Sequence, residues 1–74
     1  MNFKQMQIVI KVAEEKSFTK AARKLKISQP TLSKSILSLE KQLGVTLFNR
    51  SQSPISLTDA GEMYYKKTKS ILEI

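Results

Sequence analysis

Cysteine and histidine are both absent from this chain. Without cysteine there is no disulfide framework and no thiolate metal site. Without histidine the usual zinc ligand sets and every histidine-based triad fall away. Carboxylates are scarce as well, with six Asp and Glu in all, so a paired acid–base site is hard to assemble. No apolar run approaches the roughly 18 residues that span a bilayer. The first residues lack the apolar stretch of a signal peptide. These gaps predict a protein with no catalytic residues, no metal, no cofactor and no membrane partner, resident in the cytoplasm. The chain is 74 residues long, which suits one small domain or a piece of a longer protein.

Positive charge is what the chain has in excess. Thirteen Lys and Arg against six Asp and Glu give +7. Residues 1–50 hold ten basic and three acidic groups, and therefore all of the +7, while residues 51–74 hold three of each. Between positions 16 and 26 lie Lys16, Lys20, Arg23, Lys24 and Lys26 with no acid among them. A localised positive field suits a polyanion, and nucleic acid is the commonest one.

The pattern reads as short elements with clear punctuation. Asn2 can cap a first helix, in which Phe3, Met6, Val9, Ile10 and Ala13 recur at helical spacing and predict its buried face. Ser17 or Thr19 can cap a second helix with Phe18, Ala21, Ala22 and Leu25 on its inner side. The alanine pair lets another helix approach closely, as a helix-turn-helix crossing requires. Ile27 in the turn is expected to plug the core. Ser28 caps a third helix over about 29–43, with Pro30 in its first turn, where a missing N–H costs nothing. Leu32, Ile36, Leu39 and Leu43 form one narrow stripe on it, and Leu37 points outward. Gly44 suits a left-handed cap, with Val45 placed for the accompanying apolar contact. A hairpin follows, with strands at 46–50 and 55–57 around a turn at 51–54. Two strands alone are unstable in water, so they must lie on the helices. Thr58 caps a last helix whose positive end suits Asp59 and Glu62. It reaches Ile74 without a stop signal, which predicts a helix that continues in a larger protein.

Helices, a two-stranded wing and a further helix make a mostly α, winged helix-turn-helix fold. The spelling goes further. Ser17-Phe18-Thr19-Lys20-Ala21-Ala22, Leu25, Ser28-Gln29-Pro30-Thr31-Leu32-Ser33, Ile36, Leu39-Glu40, Leu43-Gly44, Leu47-Phe48-Asn49-Arg50 and Leu57-Thr58-Asp59-Ala60-Gly61 occur in this order. With Phe3 and Val12-Ala13-Glu14, the series resembles the LysR-type transcriptional regulators over essentially the whole chain. The resemblance implies a bacterial DNA-binding domain over 1–58, with the helix-turn-helix at about 18–37. It implies that 59–74 begin a linker helix through which two subunits pair. A homodimer on a palindromic operator would follow, with a higher assembly in the full-length protein. It also implies a small-molecule effector domain that this chain does not contain.

The same resemblance carries base and phosphate contacts to Gln29, Pro30, Thr31, Ser33 and Lys34, and the chemistry of those residues agrees. Gln bonds adenine in two places, Ser bonds several bases, and the carbon of Pro and Thr suits a thymine methyl. Lys34 is a point charge for guanine or phosphate. Thr19 and Lys20 open the second helix, where a hydroxyl and a helix start anchor phosphate. In the wing, Gln52 and Ser53 are candidates for sugar or phosphate, and Arg50 either reaches a phosphate or holds a nearby carboxylate. Tyr64, Tyr65, Ile71 and Leu72 are the candidate dimer seam, shared with packing onto their own domain. Two features depart from the family pattern: the wing tip, Ser51-Gln52-Ser53-Pro54, is uncharged, and Leu37-Ser38 stand where relatives often carry basic residues. Arg23 and Arg50 are the only arginines, so bidentate arginine–guanine readout is absent from the third helix, and a half-site read through A·T pairs and shape is expected.

Overall fold

The computed structural model describes residues 2–72. Three helices come first: α1 (Phe3–Glu15), α2 (Phe18–Leu25) and α3 (Gln29–Leu43). A two-stranded antiparallel wing follows, β1 (Phe48–Asn49) with β2 (Ser56–Leu57), pairing Phe48 with Leu57 and Asn49 with Ser56. The last element is α4 (Asp59–Leu72), so positions 73 and 74 of the expected linker helix, and position 1 of the domain, lie outside the described residues. This is a winged helix-turn-helix.

Each helix begins on a side-chain oxygen. Asn2 and Gln5 form a reciprocal capping box: Asn2 Oδ1 accepts from the Gln5 N–H at 2.8 Å, and Gln5 Oε1 from the Asn2 N–H at 3.2 Å. Of the two candidates for α2 the cap is Ser17, whose Oγ accepts from the Lys20 N–H at 3.1 Å. Ser28 Oγ accepts from the Thr31 N–H at 3.2 Å. Thr58 Oγ1 accepts from the Gly61 N–H at 3.0 Å and donates to the Thr46 carbonyl, tying α4 to the loop before the wing. Gly44 closes α3 in the left-handed region, with φ 72°. Lys16 and Lys26 close α1 and α2 in the same region, with φ 56° and 60°. That conformation crowds a Cβ against the following carbonyl, and no residue type announced it.

The core is one cluster: Ile8, Val9, Val12, Ala21, Ala22, Leu32, Ile36, Leu39, Leu47 and Phe48. Ala21 and Ala22 are buried at the α1–α2–α3 junction, where a larger side chain would hold the helices apart. Three expectations shift. The buried face of α1 is centred on Ile8, Val9 and Val12, with Met6, Ile10 and Ala13 on its flanks, and Phe3 is 60% exposed because it precedes the turn that reaches the core. Leu43 is 42% and Val45 44% exposed, since α3 runs one turn past the core after Leu39. The strands are two residues each, shorter than the segments 46–50 and 55–57. Leu47 falls outside the ladder because its N–H goes to the Glu40 carboxylate, at 2.7 Å, and its carbonyl to the Thr58 N–H, at 2.9 Å.

Candidate nucleic-acid interface

The leucine side of α3 decides which residues face outward. Leu32, Ile36 and Leu39 are fully buried, so the opposite side of the helix is presented to solvent. Gln29, Pro30, Thr31 and Lys34 are exposed there, and Ser33 is half-buried on the flank. The helix start is ordered by its own side chains: the Ser28 hydroxyl donates to Thr31 Oγ1 at 2.7 Å while its oxygen holds the Thr31 N–H. Thr31 is thus held by Ser28 at the surface. Leu37, 52% exposed, interrupts the polar face further along.

Thr19 and Lys20 are both exposed at the start of α2. Across residues 18–37, Lys20, Arg23, Lys26 and Lys34 are exposed and form no ion pair among the described residues. Lys24 is engaged with Glu15 at 3.2 Å, linking α2 to the end of α1. The helix-turn-helix therefore carries four unneutralised cations and no exposed acid, a surface suited to phosphate.

The wing is polar and tied to itself. Gln52 and Ser53 are exposed at its tip. Gln52 Oε1 accepts from the Ser56 hydroxyl at 2.7 Å, and Asn49 Nδ2 donates to Ser56 Oγ at 3.3 Å. Arg50 takes the second of its two expected roles in this structure. Its Nη2 lies 3.1 Å from Glu40 Oε1, and its guanidinium carbon sits 5.2 Å above the Phe18 ring. Glu40, 8% exposed, is the buried charged side chain to which the sequence reading gave no role. A signal was present: it stands four residues after Ile36, on the buried stripe, where an acid needs a partner.

The candidate seam on α4 divides between two faces. Tyr64 packs against the core cluster, and burial raises its phenol above the ordinary tyrosine value. Leu72 lines a hollow with Ile10 and Leu25. Tyr65 is half-buried, and its hydroxyl accepts from Lys69 Nζ at 3.2 Å. Thr68, between them, is buried and donates to the Tyr64 carbonyl at 2.9 Å. Ile71 faces outward, as do Met63 and Phe3, all at least half exposed. Among the described residues no helix is long and apolar enough to cross a membrane, and no group of three candidate ligands gathers for a metal.

Known proteins share both the sequence and this arrangement. The probable cat1 operon transcriptional activator of Acinetobacter lwoffii is 42% identical over 97% of this chain and 24% of its own length. The transcriptional regulator BenM of Acinetobacter baylyi is 40% identical over 97% of this chain and 24% of itself. The BenM DNA-binding domain, solved in complex with catB site 1 DNA, superimposes with a TM-score of 0.96 over 99% of this chain and 81% of that one. Full-length CbnR on its target DNA gives 0.91 at 40% identity, over 99% of this chain and 25% of that one. The chain thus spans about a quarter of the length of these two curated relatives. Residues 3–62 match the family described as bacterial regulatory helix-turn-helix protein, lysR family, and to that LysR family this chain belongs.

Proposed function

We propose that this chain is the sequence-specific, double-stranded-DNA-binding part of a bacterial LysR-type transcriptional regulator. In this reading α3 lies in the major groove, α2 crosses the phosphate backbone, and the wing flanks the site. Residues 1–58 form the binding unit, and α4 begins the linker through which two copies pair. A small-molecule effector acts through a domain elsewhere in the full-length protein. The observation that carries the reading is the outward face of α3, where Gln29, Pro30, Thr31 and Lys34 stand opposite a fully buried leucine stripe. The capture of BenM's homologous domain on DNA supports it.

The chemistry of that face sets what is read. Gln29 suits adenine, and the Pro30 and Thr31 carbons suit a thymine methyl. Ser33 bonds on the flank, and Lys34 reaches a base or a phosphate. No arginine lies on α3, so the half-site is read mainly through A·T pairs and groove shape. Selection of duplexes from a random pool should return A·T-rich half-sites in an imperfect palindrome. Guanine-rich half-sites would overturn the readout, and a pool without enrichment would overturn the function. Lys34→Ala separates two roles on the selected duplex. A base contact predicts relaxed preference at one position by roughly 1–3 kcal/mol. A phosphate contact predicts uniform weakening and a log–log salt slope flatter by about one unit.

Two recognition helices on one face of the duplex require pairing. The seam proposed on α4 uses the exposed Ile71 and the half-buried Tyr65, while Tyr64 and Leu72 serve chiefly the domain's own packing. Sedimentation equilibrium should show reversible dimerisation that Ile71→Glu weakens. Monomer alone at high concentration counts against the seam.

A further inference from the structure

Two charged side chains, neither on the reading face of α3, join the parts that would have to touch DNA together. Glu40 sits in the second half of α3 with its carboxylate in the core. A buried acid persists only when its oxygens are matched. Here Oε2 accepts from the N–H groups of Leu47 and Phe48, at 2.7 and 3.3 Å, and Oε1 takes the Arg50 guanidinium at 3.1 Å. Leu47 stands just before β1 and Phe48 opens it, while Arg50 follows the strand directly. The Arg50 head also covers the Phe18 ring of α2, which meets Phe48 edge-on at 5.9 Å and 81°. The first helix of the helix-turn-helix, its recognition helix and the wing thus converge on one ion pair.

We propose that Glu40 and Arg50 form a clasp that fixes the angle between α3 and the wing, with Arg50 serving DNA recognition as a positioning residue rather than as a phosphate contact. The inference rests on the DNA-binding reading above. The geometry favours it over direct contact because the guanidinium is already engaged on two sides, by a carboxylate and by a ring face. Recruiting it to a phosphate would leave the buried Glu40 with Oε1 unmatched. A lysine is a poor replacement, since a compact ammonium lacks the flat guanidinium that lies over Phe18 while one of its N–H groups meets the carboxylate. With the clasp intact, the bases read by α3 and the backbone beside the wing are met in one register. With it broken, each part still meets phosphate, but the register is lost.

The test compares the chain with Glu40→Gln, Arg50→Lys and Arg50→Ala on a selected duplex and on a scrambled duplex of equal length, across a salt series. Measurements are made below each variant's unfolding midpoint, followed by circular dichroism. Glu40→Gln removes a negative charge from a chain already at +7, so bulk electrostatics alone strengthens binding to both duplexes. The clasp predicts the opposite sign on the selected duplex, a loss of about tenfold, with scrambled binding unchanged or stronger. Arg50→Lys should lose discrimination to a similar degree despite its kept charge, and Arg50→Ala should do so without flattening the salt slope. The Glu40→Gln, Arg50→Ala pair should lose no more than Arg50→Ala alone, as residues of one network do. Tighter specific binding by Glu40→Gln, wild-type behaviour of Arg50→Lys, or a slope flatter by about one unit in Arg50→Ala overturns the clasp while leaving the DNA reading intact. If Arg50→Ala fails to fold, Glu40→Gln and Arg50→Lys decide the matter. A wild-type chain with no preference between the duplexes sinks both readings.

Discussion

If the proposed function holds, raising monovalent salt from about 50 to 200 mM should weaken binding of the paired domain to its operator by about four decades. The estimate follows from counting cations. Lys20, Arg23, Lys26 and Lys34 are exposed within residues 18–37 and carry no ion partner among the described residues. If each subunit neutralises four phosphates through them, the dimer releases counterions from about eight, and the log–log slope is roughly −7. A fourfold rise in salt then costs about 10⁴ in the association constant. Lys24 is left out of the count because Glu15 already neutralises it, and Arg50 because Glu40 does. Equilibrium titrations at four or more salt concentrations read the slope directly. A value shallower than about −3 means that fewer than half of these cations meet phosphate. The electrostatic account of the surface would then be wrong, whatever the base preference.

The same count shows how far the sequence alone could carry the site. The cations and the helix-turn-helix were legible, because charge excess and leucine spacing are properties of the chain itself. The bounds of α3 were legible because Ser28, Pro30 and Gly44 each do one thing well at a helix end. Outward presentation of Gln29, Thr31 and Lys34 followed from the stripe, since what lies opposite a buried ridge has nowhere else to point. Long-range pairing was not legible. Glu40 and Arg50 are ten positions apart, and only the return of the chain through Leu47 and Phe48 brings them to 3.1 Å. That return also explains the short strands, as Leu47 bonds to Glu40 in place of a strand partner. The α1 face was misjudged by its first residue, because helical spacing says which residues align but not where the core ends. The left-handed Lys16 and Lys26 were invisible for a third reason: lysine has no preference for that conformation, so its identity does not mark a helix end.

Gly61→Ala should lower the stability of the fold by about 3 kcal/mol, a large share of the roughly 4–11 kcal/mol expected for a chain of this length. Placed mid-helix elsewhere, the same substitution would stabilise by up to about 1 kcal/mol, since alanine is the better helix former. Here a Cβ at position 61 would stand 2.0 Å from the Leu47 carbonyl oxygen and 2.9 Å from Leu57 Cδ2. The leucine methyl can turn away. The carbonyl cannot, because it accepts from the Thr58 N–H while the N–H of the same residue is held by Glu40. Relief must come from α4 moving outward, which pulls Gly61 from the Thr58 hydroxyl that caps the helix. Thermal unfolding by circular dichroism reads the result: a midpoint lower by about 12–24 °C for a domain of this size. Gly44→Ala is the control. Nothing lies within 4 Å of a Cβ there, and only the φ of 72° is strained. Its cost should be about 1 kcal/mol, a fall of some 4–8 °C. If Gly61→Ala unfolds at or above the midpoint of Gly44→Ala, the close seat of α4 on the Leu47 carbonyl is not what joins the wing to the last helix.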